Sequence, residues 1–160
     1  MRALAWALFL ITICVGLLIV YSLYAAELGV IQAEVRVVPA GEMAPQFQAL
    51  YRATQERALL GKQFDAGPTD DPGAYEFHIY TVQLRNNGLI PADWVRLDLR
   101  PETGDILQAD SEGAAQLPAL SSGEVQLVVL AHQGSTTARQ LSLTYFIWSR
   151  LYNIPIHVQP

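Results

Sequence analysis

From Ala3 to Ala26 the chain reads ALAWALFLITICVGLLIVYSLYAA without one charged side chain. A helix of about 20 such residues spans the roughly 30 Å hydrocarbon core of a bilayer. A run this long that is apolar on every face has more surface than a domain of this size can cover, so a buried core helix is the weaker reading. Trp6 near one end and Tyr21 and Tyr24 near the other match the interfacial preference of amphipathic rings. Arg2 before the run and Glu27 after it favour a cytoplasmic N-terminus and an extracytoplasmic C-terminal part.

Processing leaves alternatives open. A cleaved signal peptide has a shorter apolar core and small residues at positions −3 and −1 of the cut. Cleavage after Ala26 places Tyr24 at −3, and cleavage after Ala25 places Leu23 there. An uncleaved anchor over residues 1–26 is therefore the expectation, with cleavage as the alternative. Lipid attachment at Cys14 needs a small residue before the cysteine, and Ile13 is not one.

Residues 27–160 form the expected extracytoplasmic domain, within the usual size of one unit with one core. They hold nine basic and all fifteen acidic residues of the chain, and Lys62 is its only lysine. Scattered arginines on an acidic background argue against nucleic acid and against an anionic lipid surface as partners. The one cysteine lies in the apolar run, so the domain has no thiol for a disulfide, a thiolate metal site or a nucleophile. No Asn-x-Ser/Thr acceptor occurs either, and both absences point to a bacterial source.

The domain reads mainly as β structure. Ile31 to Val38 alternates, with Ile31, Ala33, Val35 and Val37 on one side, and Pro39 ends it. Residues 43–60 change period, with Phe47, Leu50, Tyr51, Thr54 and Ala58 at helical spacing behind Pro45 and Gly61 as the stop. Residues 61–73 (GKQFDAGPTDDPG) read as a loop. Strands are then expected at Tyr75 to Asn86, Ala92 to Arg100, Asp105 to Gln108, Glu124 to Ala131, Leu141 to Trp148 and Ile154 to Val158. Asn86-Asn87-Gly88, Leu117 through Gly123, Gly134 and Ser149 to Tyr152 are the turns between them. The Val-rich run at Glu124 to Ala131 implies burial on both faces. Short strands with turns between them predict an all-β, immunoglobulin-like antiparallel Greek-key sandwich with a short inserted helix.

At Tyr80-Thr81-Val82-Gln83-Leu84-Arg85-Asn86-Asn87-Gly88, at Ala92 with Val95-Arg96-Leu97, and at Leu117 through Gly123, the chain resembles the bacterial adhesion-related immunoglobulin-like modules called CARDB. It is also similar to small single-pass envelope proteins that join an anchor to such a sandwich. The resemblance covers Tyr75 to Val158, marks turns, and implies no catalytic residues.

Candidate sites are few. Asp65, Asp70 and Asp71, with Glu76 nearby, offer oxygens for Ca²⁺, but their spacing is not that of an EF-hand loop, and Asp beside Gly and Pro suits turns. His78, His132 and His157 lack metal-ligand spacing. Ser121-Ser122-Gly123 lacks the Gly-x-Ser-x-Gly elbow, and no phosphate-binding glycine loop occurs. Trp94 on the polar side of its strand, and Trp148, Arg150 and Tyr152 around the last reversal, form a candidate partner-binding patch. The expectation is a non-enzymatic module for protein-protein interaction in the cell envelope, without a cofactor. A glycan- or calcium-binding protein, or an accessory subunit of a transport or secretion complex, is the alternative.

Overall fold

The structure, a computed structural model, describes residues 2–24, 27–109 and 115–158. Helix α1 (Arg2–Tyr24) contains an 18-residue window, Leu4–Tyr21, of mean hydropathy 2.6, none of it buried against the protein. Its length and composition are those of a membrane anchor or a signal sequence. The proposed cleavage points at Ala25 and Ala26 lie outside the described residues.

The chain continues through β1 (Leu28–Pro39), α2 (Ala44–Gln55), β2 (Gly61–Gln63), a 3-10 turn at Pro72–Ala74, β3 (Tyr75–Asn86), β4 (Ala92–Leu99) and β5 (Asp105–Ala109). It ends with β6 (Ala115–Leu117), β7 (Ser122–His132), β8 (Arg139–Ile147) and β9 (Arg150–Val158). The strands make two antiparallel sheets, one in the order β1-β3-β7-β5-β2 and the other β6-β4-β8-β9.

The sheets pack face to face. Alternation along β3, β7, β4 and β8 sends Tyr80, Val82, Leu84, Val125, Leu127 and Val129 from one sheet against Val95, Leu97, Leu141, Leu143 and Ile147 of the other. Tyr145 is buried among them, and its hydroxyl accepts a hydrogen bond from Leu28 N–H at 3.1 Å, which ties the start of β1 to the end of β8. Burial pushes the Tyr145 phenol above its ordinary pKa, and the bond from Leu28 offsets only part of that rise.

A second apolar cluster lies on the outer face of the first sheet. There α2 lays Phe47 and Leu50 over Tyr75, Phe77, Ile106, Leu107 and Leu130. This is why β7 is apolar on consecutive positions: Val129 faces the other sheet while Val128 and Leu130 face the cluster under α2.

Four local readings change in three dimensions. The first strand begins at Leu28, not Ile31, and a bulge between Val30 and Gln32 leaves Ile31 55% exposed. At the far end of β1 the buried residue is Val38, not Val37, because α2 covers the outer face there and Val38 pairs with Phe77 on that face. Helix α2 stops at Gln55, five residues before the expected Leu60. Arg57 takes a left-handed φ of 55°, and Ala58 N–H reaches Ala53 O at 2.8 Å, a Schellman closure reached before Gly61. Gly61–Gln63, read as loop, is strand β2, formed only by pairing with Leu107–Ala109.

Asn86-Asn87-Gly88 is not a hairpin, since β3 and β4 belong to different sheets. Asn86 is instead a buried tie: its Nδ2 donates to Ile90 O at 2.8 Å, Pro118 O at 3.1 Å and Leu117 O at 3.2 Å, and its Oδ1 accepts from Gly88 N–H at 2.9 Å. One side chain thus joins the β3–β4 and β6–β7 connections.

Candidate functional site

The register places one end of the sandwich beside α1. Leu28 pairs with Asn86, so the β3–β4 connection lies where the chain leaves the helix. Leu120 N–H donates to Gly88 O at 3.1 Å and Asn86 N–H to Ser121 O at 2.8 Å, which puts the β6–β7 connection at the same end. The β8–β9 hairpin joins them, because Tyr145 on β8 is bonded to Leu28 and the turn follows at Trp148.

This end carries unusual backbone. Of the five described non-glycine residues with positive φ, four are here: Trp94 at 53°, Leu120 at 55°, Trp148 at 52° and Ser149 at 61°. Left-handed backbone costs an L-residue about 1–2 kcal/mol, so bulky residues hold it only where the surrounding structure enforces it. Ile147 pairs with Arg150, so Trp148 and Ser149 form a two-residue turn with both φ positive, a type I′ geometry that favours Asn-Gly. At Trp94 the ladder slips: Asp93 pairs with Phe146 and Arg96 with Thr144, so β4 carries one extra residue. The bulge lets both Ala92 and Val95 point into the core and leaves Trp94 68% exposed on the outside.

Trp94, Asp93, Gln116, Phe146 and Ser149 line a groove of about 670 Å³ on the outer face of the β6-β4-β8-β9 sheet. Gln116 Nε2 donates to Asp93 Oδ1 at 2.8 Å, which fixes a polar edge opposite the apolar Phe146 and Trp94. An exposed indole and a phenyl ring with a hydrogen-bonded polar pair suit recognition of a side chain or a short segment.

The other sequence candidates separate. Trp148 sits on the turn next to Ser149, 60% exposed. Tyr152 is half-buried, stacked on Tyr145 with ring centroids 5.3 Å apart, and the Arg150 guanidinium lies 5.6 Å from its ring centre. Tyr152 and Arg150 therefore close the sheet edge, while Trp94 and Trp148 stand out from it. Phe146, Gln116 and Leu120 escaped the sequence reading. Leu120 alone left a signal there, a large apolar residue inside a Pro-Ala-Leu-Ser-Ser turn.

The acidic loop is occupied with its own backbone. Asp65 Oδ1 accepts from Ala66 N–H at 2.7 Å and Asp71 Oδ1 from Gly73 N–H at 2.8 Å, and Asp70 is exposed. Among the described residues no three His, Cys, Asp or Glu side chains gather as a metal site would need. The histidines stay apart as well. His78 is buried with Nε2 2.8 Å from Glu76 Oε1, His132 stacks on Tyr75, and His157 is exposed on β9. Ser121 Oγ donates to Pro118 O at 2.7 Å, a turn contact.

The opposite end of the sandwich holds the buried charges. Arg139 Nη2 meets Asp105 Oδ1 at 2.6 Å with both side chains fully buried, and Asp105 Oδ2 accepts from Glu102 N–H at 2.8 Å. Beside them burial pushes the Tyr80 phenol up to about 12 despite the nearby Arg139 charge, and its hydroxyl donates to Thr137 O. Arg139 Nη1 also donates to Ala138 O at 3.2 Å and lies 3.8 Å from Glu102 Oε2, while its Nε is buried without a hydrogen-bond partner.

Compared with known proteins, the chain matches no protein-family model and no curated protein.

Proposed function

We propose that this protein is a non-catalytic binding module held at the outer face of a cell membrane by α1, and that it engages a protein partner through the groove beside Trp94. The observation that carries the reading is the bulge that holds a bulky indole outside the core, in left-handed backbone, beside a groove it lines together with Phe146. Strain of this kind is concentrated where a side chain has to be presented. The anchor part rests on the length and hydropathy of α1, with Arg2 and Glu27 favouring an extracytoplasmic domain.

The strand order supports an immunoglobulin-type reading of the fold. β1-β3-β7-β5 and β9-β8-β4 correspond to the two sheets of a constant-type domain, and α2 with β2 is inserted between its first two strands. The short β6, placed after β5 and beside β4, is a departure from that plan. The resemblance of its turn residues to those of CARDB-type adhesion modules, read from the sequence, favours the same reading, envelope interaction.

The test is site-specific photo-crosslinking of the full-length chain in its native membrane, with the reactive group at Ser149 and, as control, at Gln133 on the opposite end. The expected result is one discrete adduct from Ser149, absent from Gln133 and lost when Trp94 is changed to Ala, since a central aromatic at an interface contributes more than about 1 kcal/mol. Equal labelling at the two positions, or an adduct that survives Trp94→Ala, would refute the reading.

A further inference from the structure

The exposed large apolar side chains of the domain are distributed unevenly. Leu89 in the β3–β4 connection, Leu120 in the β6–β7 connection, Trp148 in the β8–β9 turn, Leu151 just after it, and Val30 and Ile31 at the start of β1 all lie at the end where α1 joins. At the opposite end the β4–β5 and β7–β8 connections, Arg100-Pro101-Glu102-Thr103-Gly104 and Gln133-Gly134-Ser135-Thr136-Thr137-Ala138, carry no large apolar residue, and Met43, in the segment that leaves β1 there, packs against the cluster under α2. On β1 only Val37 is an exposed large hydrophobic near that end, and away from both ends Leu60, before β2 at the sheet edge, stands 82% exposed by itself.

Only residues 25–27 separate Tyr24 from Leu28, so the end of α1 and the start of β1 are at most about 14 Å apart, four residue steps of up to 3.6 Å. The headgroup layer on one side of a bilayer is of comparable depth, about 5–10 Å. A domain tied this closely, with its apolar loop tips at the tied end, has a membrane surface within reach of those tips. The exposed charges at this end are of both signs, Glu27 and Glu124 with Arg85 and Arg150, which fits an apolar rather than a charge-driven contact.

We infer that the loop tips carrying Leu89, Leu120 and Trp148 insert into the headgroup layer of the bilayer that α1 spans, as a second membrane contact that fixes the tilt of the domain. This rests on the anchor reading of α1. Trp148 suits the role because an indole combines a large apolar face with an N–H that stays hydrated at the interface. Leu120, 67% exposed in left-handed backbone, supplies the apolar tip beside it. With the tips in lipid, the groove beside Trp94 opens sideways along the membrane plane, where a membrane-embedded partner presents its own surface.

The experiment uses the full-length chain with Trp6→Phe and Trp94→Phe, so that Trp148 is the only indole, reconstituted into phosphatidylcholine vesicles whose acyl chains carry bromine at shallow or deep positions. Flotation after a carbonate wash reports the anchor in the same sample. The expected outcome is a chain that floats, with blue-shifted Trp148 emission quenched more by the shallow than by the deep bromines. Adding anionic lipid is expected to leave the quenching unchanged. A chain that floats with unquenched, water-like Trp148 emission overturns the insertion while the anchor stands. Blue-shifted but unquenched emission overturns it too, because protein then covers the indole. A chain removed by carbonate overturns the anchor reading and the insertion with it. A second reporter, Leu120→Trp in a chain with all three native indoles changed to Phe, is expected to show the same shallow quenching, and its failure to do so counts against insertion even if Trp148 is quenched.

Discussion

Asn86 is the residue on which the geometry of the sandwich end next to α1 depends, and its loss can be sized from its contacts. Its amide faces three carbonyls at 2.8, 3.1 and 3.2 Å and accepts one backbone N–H at 2.9 Å, in a side chain with no exposed surface. The amide has two N–H hydrogens to share among the three carbonyls, so with the accepted bond it makes about three net hydrogen bonds, and at about 1 kcal/mol each Asn86→Ala should cost about 3 kcal/mol. The carbonyls of Ile90 and Pro118 lie close enough to solvent to be rehydrated in part, so the penalty stays below full orphaning of all four groups. Asn86→Asp keeps the shape but turns an oxygen towards the three carbonyls, and should cost more than the alanine. The assay is urea unfolding of the full-length chain in a mild detergent, followed by tryptophan emission. With a slope of about 1–3 kcal/mol per molar, the alanine loss moves the midpoint down by about 1–3 M. A loss below about 1 kcal/mol, or an aspartate variant more stable than the alanine one, would refute the account of Asn86 as the tie between the two connections.

Further outcomes follow from other parts of the core. Asp105→Ala leaves the buried Arg139 guanidinium with only the more distant Glu102 carboxylate and Ala138 O, and should cost about 3 kcal/mol, while Asp105→Ala combined with Arg139→Leu should recover a large part of it in the same unfolding assay. Replacing Trp148-Ser149 by Asn-Gly suits the positive φ of both positions and should raise stability by about 1 kcal/mol, read as a higher melting temperature, while reducing lipid contact at that tip. At Asp98, burial raises the carboxyl pKa, but the Lys62 hydrogen bond and charge together with the Arg96 charge outweigh it and hold the group below its ordinary value. A carboxyl lowered in this way contributes stability above its unfolded pKa near 3.9 and loses it as pH falls through the folded value. Lys62→Ala should therefore cost less than about 1 kcal/mol at neutral pH and flatten the acid limb of the stability profile below about pH 4.

Much of this protein could be read along the chain because its signals are local. A charge-free run of this length, apolar on every face, needs no partner to declare itself, and period-two alternation at Tyr80 to Leu84 or Leu141 to Ile147 follows from the geometry of a strand with one buried face. The stripe of Phe47, Leu50 and Tyr51 likewise marks one face of α2, although the Schellman closure at Arg57 ends the helix before the glycine expected to do so. The candidate aromatics are legible as Trp94 on the polar side of its strand and Trp148 and Tyr152 flanking the last reversal, but their separation into packing and presentation is not. Tyr152 became an edge residue because β9 sets it opposite Tyr145, and Trp94 became a groove wall because a bulge in β4 adds a residue there.

Tertiary structure alone decided the rest. Gly61–Gln63 has no strand signal and becomes β2 only when β5 offers it an edge. Val38 replaces Val37 in the core because α2 lies over that face, and Asn86 turns from a turn residue into a buried tie because two connections from different sheets meet around it. The apolar end of the sandwich is assembled from three connections, at Leu89, Leu120 and Trp148, that lie far apart in sequence. Each of them alone is an ordinary turn with one large side chain. Strand pairing, which has no counterpart in local periodicity, carries all three to the point where the apolar helix enters the domain.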